Sequence, residues 1–341
     1  MQLESKLAGA EENVVIRAGG CSVTLMSALG GKIASLRVGA DELLQTPLKP
    51  LAPRTRTMAF SDSDASGWDE CLPSVAGCTI ETEAGMASIP DHGDLWRIPW
   101  KVLASTEDSA TLRASCFSLP LQLTRSMILT ESATGWRLQL LYSLTNLGAY
   151  RVPWAWSAHP LFAVDAGDRI VLPPQIQTLS LEGSAGNRLG VPGDTVAWPL
   201  AQSRAESRNG SHNAANMDLS RVPSGNPEIG DKLFAGADAP LSEGWCSLER
   251  LRLGLRLTVR FDPAFTPYLG LWLCYGGWPE EPGAKQFCVA PEATTAPVDS
   301  LASEGPWSRS LDPGETVNWP MDLLIDRIDR NKPAAEKSDA G

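Results

Sequence analysis

Two ionisable residues in apolar surroundings are the strongest candidates for chemistry in this chain. His159 lies in the segment Ser-Ala-His-Pro-Leu-Phe, and Glu292 lies in Ala-Pro-Glu-Ala-Thr-Thr, in a chain with only three histidines. A carboxylate is costly to bury without a partner, so Glu292 either reaches solvent or serves a site. His159 has a second reading, as a buried histidine at a strand end that bonds to the backbone. Held across one pocket, the two would form a proton donor and a proton acceptor.

Other arrangements of reactive residues are less informative. Carboxylates and an imidazole gather in one early stretch: Asp69, Glu70, Asp91, His92 and Asp94. Their spacing matches no standard metal site, and carboxylates on turns are usually solvated. Ser157 has no nucleophile-elbow context, and no glycine-rich phosphate loop follows a strand. The sequence therefore predicts no metal and no cofactor.

The elements that would position His159 and Glu292 are β-strands. Short apolar runs are separated by Gly, Pro, Asp and Asn, which is typical of strands joined by turns. The predicted strands are Asn13–Arg17, Cys21–Met26, Lys32–Val38, Trp136–Leu144, Leu251–Phe261, Tyr268–Tyr275, Phe287–Ala290 and Val317–Ile328. The period of two in Leu251–Phe261 is hard to reconcile with a helix, whereas Asp322–Ile328 has a helical alternative. We therefore predict an all-β fold, a large antiparallel β-sandwich.

The domain organisation follows from composition. No internal repeat and no compositional break marks a second domain, so residues 13–330 are predicted to form one domain after an N-terminal extension over 1–12. The segment 181–228 is polar and rich in Gly, Ser, Asn and Pro, and is predicted to be a long functional or mobile loop. Residues 331–341 are charged and rich in small side chains, which predicts a disordered tail.

Charge and cysteine usage exclude several classes of protein. The net charge is −11 and no basic run is present, which argues against nucleic-acid binding. No apolar run reaches the length of a membrane span, and no signal-peptide pattern opens the chain. The seven cysteines include no C-x-x-C pair, so a zinc site is not expected. The sequence predicts a cytoplasmic protein and leaves its oligomeric state open.

A series of short motifs resembles one known family. In order they are Gly67-Trp68-Asp69-Glu70-Cys71-Leu72-Pro73, His92-Gly93, Ala158-His159-Pro160-Leu161-Phe162, Asp231-Lys232-Leu233-Phe234, and Glu292 followed by Pro297-Val298-Asp299-Ser300-Leu301. This order is similar to that of the aldose 1-epimerase (galactose mutarotase-like) family. The resemblance runs from about Val14 to Ile328.

The resemblance implies a β-supersandwich that binds a small-molecule sugar in an open cleft. By position, it implies that His159 is the general acid and Glu292 the general base, that His92 hydrogen-bonds the sugar, and that Asp231 receives sugar hydroxyls. Many members place an arginine where this chain has Trp96, and Arg97, which follows it, is a further candidate for substrate contact. The chain holds 12 tryptophans, and Trp272 lies in an apolar strand where it either packs in the core or stacks on the sugar.

The implied reaction opens and recloses a sugar ring. A carboxylate removes the proton of the C1 hydroxyl, and an imidazolium delivers one to the ring oxygen. A close Glu–His pair is expected to favour both charged forms. Two departures from the family, Trp96 and the Glu292-Ala293 dipeptide, leave two alternatives open. One is a carbohydrate-binding or regulatory module with little catalysis, and the other is an isomerase or lyase reaction on an unusual sugar.

Overall fold

The computed structural model describes residues 13–204 and 216–329. The predicted extension over 1–12 and the predicted tail over 331–341 lie outside the described residues, so both stay predictions, as does the single domain. Within these two ranges, three short 3-10 turns occur, at Phe60–Asp62, Leu95–Arg97 and Ala185–Asn187. None of the helices in the described ranges has the length and apolar character needed to cross a bilayer.

The described residues form twenty-six strands. In chain order they are β1 (Val14–Ala18), β2 (Cys21–Met26), β3 (Lys32–Val38), β4 (Asp41–Glu42), β5 (Trp68–Cys71), β6 (Cys78–Thr82), β7 (Gly85–Ile89), β8 (Lys101–Ser105), β9 (Ser109–Ser115), β10 (Leu121–Glu131), β11 (Gly135–Asn146), β12 (Val152–Trp154), β13 (Ser157–Pro160), β14 (Phe162–Ala163), β15 (Arg169–Val171), β16 (Thr178–Ser184), β17 (Thr195–Ala197), β18 (Leu200–Gln202), β19 (Asn216–Asp218), β20 (Ile229–Ala235), β21 (Trp245–Arg250), β22 (Leu255–Phe261), β23 (Tyr268–Tyr275), β24 (Phe287–Thr294), β25 (Arg309–Leu311) and β26 (Thr316–Arg327).

Two large sheets contain most of these strands. The twelve-stranded sheet has the order β1-β2-β3-β5-β13-β24-β23-β20-β16-β17, with β4 on β3 and β14 on β24. The eight-stranded sheet has the order β15-β21-β22-β26-β11-β10-β9-β8. Neighbouring strands in both sheets run antiparallel, as in the pairing of β10 with β11 or of β23 with β24. The predicted all-β antiparallel sandwich is therefore confirmed.

The core lies between the two sheets because each sheet turns one apolar face inward. Along β2, Cys21, Val23 and Leu25 are buried while the residues between them are half-buried. Leu138 and Leu140 of β11 reach the same core from the eight-stranded sheet. A side chain of this size stabilises the fold by roughly 1.5–3 kcal/mol when it is fully buried.

One charged group, the Glu70 carboxylate, also lies in the core. Glu70 of β5 accepts hydrogen bonds from Arg125 (2.8 Å), from the Tyr142 hydroxyl (2.9 Å) and from the Trp156 indole (2.9 Å). Glu70 and Arg125 are both fully buried. Because Arg125 and Tyr142 lie on the eight-stranded sheet, this carboxylate ties the two sheets together.

Three expectations about the elements need correction. The strand predicted to start at Leu251 starts at Leu255, because Leu251–Gly254 form the turn after β21, with Gly254 at a φ of 67°. The helical alternative at Asp322–Ile328 is wrong, since β26 pairs there with β11 and β22. The segment 181–228 is not one long loop in its described part.

Short strands interrupt that polar segment. It contains the end of β16, all of β17 and β18, and β19. Buried apolar side chains such as Val196, Ala201 and Leu219 anchor these strands to the core. The sequence did not predict these strands, because the segment is polar overall and only isolated residues in it are apolar. Residues 205–215 lie outside the described residues.

Candidate active site

A cleft on the twelve-stranded sheet brings together most of the predicted site residues. Its lining residues are Phe60, Val75, Ala76, Asp91, His92, His159, Lys232, Trp272, Trp278, Gln286, Glu292 and Asp299. The cavity measures about 170 Å³. An engineered protein cavity of about 150 Å³ holds benzene, so this cleft has room for a six-membered ring.

His159 and Glu292 face each other where the pairing of two strands is interrupted. Strand β13 pairs with β24 at Ser157 and Thr294, and β14 pairs with β24 at Phe162 and Val289. The same register, extended between these two pairs, puts His159 opposite Glu292. Between these two pairs the strands form no backbone pairing. Side chains on the same face of neighbouring strands lie close enough to interact.

A gap separates the two side chains, and each has one buried polar atom without a hydrogen bond among the described residues. His159 Nε2 lies 3.9 Å from Glu292 Oε1, too far for a direct hydrogen bond. Within the described residues, neither Glu292 Oε1 nor His159 Nδ1 has a hydrogen-bond partner, although both are buried. The other carboxylate oxygen, Oε2, accepts a hydrogen bond from Ser157 Oγ at 3.2 Å. A substrate oxygen could therefore satisfy Glu292 Oε1.

A lysine that the sequence did not single out lies beside Glu292 in the cleft. Lys232 donates a short hydrogen bond to Glu292 Oε2, and its ammonium nitrogen lies 3.4 Å from Asp299 Oδ1. Burial alone would lower the pKa of Lys232, but Asp299 and Glu292 outweigh burial and raise it. Lys232 therefore stays charged. Lys232 follows Asp231 in the Asp-Lys-Leu-Phe motif, so the motif contains both residues, and only the strand register shows which of them faces the cleft.

The protonation of His159 differs from expectation. Burial lowers the pKa of His159 well below its ordinary value, and the nearby His92 and Lys232 lower it further. The expectation that the Glu–His pair favours both charged forms is therefore wrong for the histidine in the free protein. The main reason is burial, and the charge of Lys232 beside Glu292 adds to it. Near neutral pH, His159 is a neutral imidazole.

His92 lies on the cleft wall beside the predicted acid. Its ring lies 5.2 Å from the His159 ring, centroid to centroid, and stacks on Phe60 at 4.0 Å. His92 Nδ1 lies 2.7 Å from Asp91 Oδ2. Burial would raise the pKa of Asp91, but the hydrogen bond with His92 lowers it. The backbone of His92 has a φ of 59°, in the left-handed region, so its turn must be held by its surroundings.

Two predicted substrate contacts lie outside the cleft lining. Asp231 is fully buried and accepts a hydrogen bond from Ser184 Oγ at 2.7 Å and from Arg188. Burial raises the pKa of Asp231, and Arg188 partly offsets this. Adjacent residues of a strand point to opposite faces, so Lys232 reaches the cleft and Asp231 does not. Asp231 is therefore not part of this cleft lining, and its contact with substrate stays a prediction.

Arg97 supports the His92 turn and does not line the cleft. Its guanidinium donates hydrogen bonds to the backbone carbonyls of Met58, Asp91 and Gly93. Asp91 and Gly93 flank His92, so Arg97 fixes the turn that presents this histidine. Arg97 is therefore not part of this cleft lining, and its contact with substrate stays a prediction.

Aromatic side chains form the apolar walls of the cleft. Trp272 lines it, and its indole N–H donates to Gln286 Oε1 at 3.0 Å, which fixes the ring. Trp278 and Phe60 add two further rings, 5.9 Å apart, centroid to centroid. Phe60 stands in a loop with no periodic pattern, so no sequence signal pointed to it. Among the residues that the structure describes, no group of three or more His, Cys, Asp or Glu side chains is arranged to hold a metal.

Known proteins resemble this chain in structure more than in sequence. No protein-family model and no curated protein matches it. A candidate aldose 1-epimerase from Escherichia coli K12 superposes with a TM-score of 0.64 at 18% identity, covering 93% of this chain and 99% of that one. A galactose mutarotase-like protein from Lactobacillus casei ATCC 334 gives 0.57 at 14% identity, covering 92% and 100%. A galactose mutarotase related enzyme from Lactobacillus acidophilus gives 0.60 at 14% identity, covering 93% and 100%.

These superpositions extend over nearly the whole length of each chain. Coverage above 90% on both sides means that the two large sheets and their connections are shared, and not only one motif. Identities of this size establish the fold and carry no residue roles. The chain therefore has the galactose mutarotase-like fold, and the resemblance predicted from its motifs is confirmed at the level of the fold.

Proposed function

We propose that this protein interconverts the anomers of a sugar by general acid–base catalysis, as an aldose 1-epimerase does. The observation that carries the proposal is the 3.9 Å gap between His159 Nε2 and Glu292 Oε1 on the floor of one cleft. The C1 hydroxyl and the ring oxygen of an aldopyranose share one carbon, so the two proton transfers must occur close together. This gap offers an acceptor and a donor to that carbon at once.

The proposed reaction has two proton transfers. Glu292 Oε1 takes the proton of the C1 hydroxyl, and the electron pair of that O–H bond forms the aldehyde carbonyl as the bond from C1 to the ring oxygen breaks. Protonated His159 delivers its proton to the departing ring oxygen. Rotation of the aldehyde, followed by the reverse transfers, closes the ring as the other anomer. No proton or electron is gained or lost over the cycle.

The remaining cleft residues support this role. Lys232 holds the Oε2 side of Glu292, so the free Oε1 faces the gap. Trp272 offers a flat apolar face against which a sugar ring can stack. His92 presents its ring beside His159, held by Asp91 and Phe60. We therefore propose the catalytic roles for His159 and Glu292, and substrate contact for His92 and Trp272.

Anomer exchange measured by saturation-transfer NMR on a panel of aldoses tests the proposal. We expect Glu292→Gln and His159→Ala each to slow exchange by roughly 10²–10⁴-fold, because each removes one positioned proton transfer. Glu107→Gln, an exposed glutamate between β8 and β9, is the matched control and should leave exchange unchanged. Normal exchange in both cleft variants, with unchanged folding by circular dichroism, would rule out the assigned acid and base.

A sugar-binding module is the second candidate, and one contact favours it. The ammonium of Lys232 already pairs with Glu292, so this buried carboxylate has a structural partner without any role in proton transfer. A module of this kind would bind a sugar in the cleft without exchange above the uncatalysed rate. Isothermal titration with the same aldose panel separates the two functions. If the protein catalyses anomer exchange and Glu292→Gln abolishes it, a module that only binds sugar is excluded.

The cytoplasmic location of the protein stays a prediction.

A further inference from the structure

One side of the cleft holds a cation and a carboxylate that neither proton transfer uses. Lys232 lies in β20, and Asp299 lies in the segment that follows β24. Both line the cleft, and the ammonium nitrogen of Lys232 is 3.4 Å from Asp299 Oδ1. We call these two residues the Lys232–Asp299 pair. Its place relative to His159 and Glu292 indicates what it can bind.

The order of the strands puts this pair on the opposite side of Glu292 from His159. The strands β13, β24, β23 and β20 are neighbours in that order, so His159 of β13 and Lys232 of β20 approach Glu292 of β24 from different sides. The contacts agree with this order. His159 Nε2 is 3.9 Å from Glu292 Oε1, whereas Lys232 bonds to Oε2.

A glycine on the intervening strand lets Lys232 reach Glu292. Two strand spacings, roughly 9–10 Å, separate β20 from β24. Gly270 of β23 is paired with Glu292 on one side and with Phe234 on the other. A Cβ at Gly270 would lie 3.2 Å from Glu292 Cβ and 3.2 Å from the Phe234 ring, closer than ordinary van der Waals contact. Because glycine has no side chain, the ammonium of Lys232 can pass over β23 to the carboxylate.

The backbone holds Asp299 in place while its side chain can still accept a hydrogen bond. The Asp299 carbonyl accepts hydrogen bonds from the N–H groups of Val75 (3.0 Å) and Ala76 (2.8 Å). Oδ1 is buried, and among the residues that the structure describes no donor reaches it with hydrogen-bond geometry. Burial raises the pKa of Asp299, and Lys232 offsets this only in part. A buried acceptor without a hydrogen bond costs free energy, so a donor from a ligand would be stabilising.

We propose that the Lys232–Asp299 pair binds the C2 hydroxyl of the sugar, and that the substrates are aldoses with a free hydroxyl at C2. This inference rests on the proposed function, in which Glu292 contacts the C1 hydroxyl and His159 the ring oxygen. C1 is bonded to the ring oxygen on one side and to C2 on the other, so the side of Glu292 away from His159 faces C2. A hydroxyl can donate to Asp299 Oδ1 and accept from the Lys232 ammonium at the same time.

Deoxy sugars test the pair by binding alone. Isothermal titration compares each aldose of the panel with its 2-deoxy and 3-deoxy analogues. We expect the 2-deoxy analogue to bind roughly tenfold or more weakly than the parent sugar, because it leaves a buried donor and a buried acceptor unpaired. The 3-deoxy analogue is the matched ligand control and should lose less affinity. An equal loss for the two analogues, or no loss for the 2-deoxy sugar, would overturn the proposal.

A variant of Asp299 assigns this discrimination to the pair. Asp299→Ala removes the acceptor and leaves the backbone hydrogen bonds of its segment in place. We expect the parent sugar and its 2-deoxy analogue to bind this variant within about threefold of each other, since the hydroxyl has lost the carboxylate it pairs with. Glu304→Ala, an exposed carboxylate in the same segment, is the matched control and should keep the full difference. Full discrimination in Asp299→Ala would place the C2 hydroxyl elsewhere and overturn the proposal.

Binding and exchange together separate this inference from the proposed function. Discrimination at C2 that Asp299→Ala removes supports the pair even when no anomer exchange is detected, and the acid–base function then fails alone. Exchange and binding that treat the parent and 2-deoxy sugars alike overturn the pair and leave the acid and base in place. Absence of binding by every aldose of the panel overturns both.

Discussion

The pH dependence of anomer exchange tests the charge that the structure assigns to His159. The proposed reaction needs a protonated imidazole, whereas burial, His92 and Lys232 lower the pKa of His159 well below its ordinary value. Above that pKa, the protonated fraction falls tenfold for each pH unit. We therefore expect kcat/KM, which reports the free enzyme, to fall about tenfold per pH unit between roughly pH 6 and pH 8.

Stability should change with pH in the opposite direction. In the unfolded chain the pKa of His159 returns to about 6.5, above its folded value. Between the two values the unfolded state binds more protons, so the free energy of unfolding rises with pH. The contribution is fully present above the unfolded pKa and is lost as pH falls toward the folded one. Its slope reaches about 1.4 kcal/mol per pH unit.

Two measurements on the same samples check both trends. Saturation-transfer NMR gives the exchange rate, and urea unfolding gives the free energy at each pH. His159→Gln removes the titrating group and should flatten its part of the stability slope. An exchange rate that stays constant or increases from about pH 6 to pH 8 would refute the imidazolium donor and the reasoning from burial.

Three further predictions concern the buried pair, the aromatic wall and the charge of the cleft. Glu70→Gln should lower the free energy of unfolding in urea by about 3–5 kcal/mol, because it leaves Arg125 buried without its counterion; a loss below about 1 kcal/mol would contradict this. Trp272→Ala should weaken sugar binding by isothermal titration roughly threefold to tenfold, and an unchanged affinity would exclude stacking. Sugar phosphates and uronic acids should exchange more slowly than the parent sugars, because three carboxylates and one ammonium line the cleft; faster exchange would contradict that charge balance.

The strands could be predicted from sequence where alternation and turn residues agree. Cys21–Met26, Lys32–Val38 and Tyr268–Tyr275 have the predicted bounds. The prediction failed at Leu251 because the alternating pattern continues through the turn, while Gly254 needs a left-handed backbone that breaks the strand. Periodicity alone cannot separate a strand from a turn whose side chains alternate by chance.

The site could be predicted only where the motif fixed the face of the strand. His159 and Glu292 line one cleft, but in the Asp-Lys motif it is Lys232 that faces it. A motif identifies a residue, but it does not show to which face of the sheet the side chain points. That face depends on the register with the neighbouring strands. Phe60 could not have been predicted, because it lies in a short 3-10 turn and its stacking on His92 joins two segments that are distant in sequence.

The interrupted pairing between β13 and β24 limits how this site can vary in length. The pairs at Ser157 and Phe162 share one register, so the five-residue step between them is fixed at both ends. A loop can accommodate an inserted residue. A residue inserted between Ser157 and Phe162 would turn the side chains that follow it to the opposite face of the sheet or force a β-bulge. Relatives that keep this cleft should therefore differ from this chain here by substitutions and not by insertions or deletions.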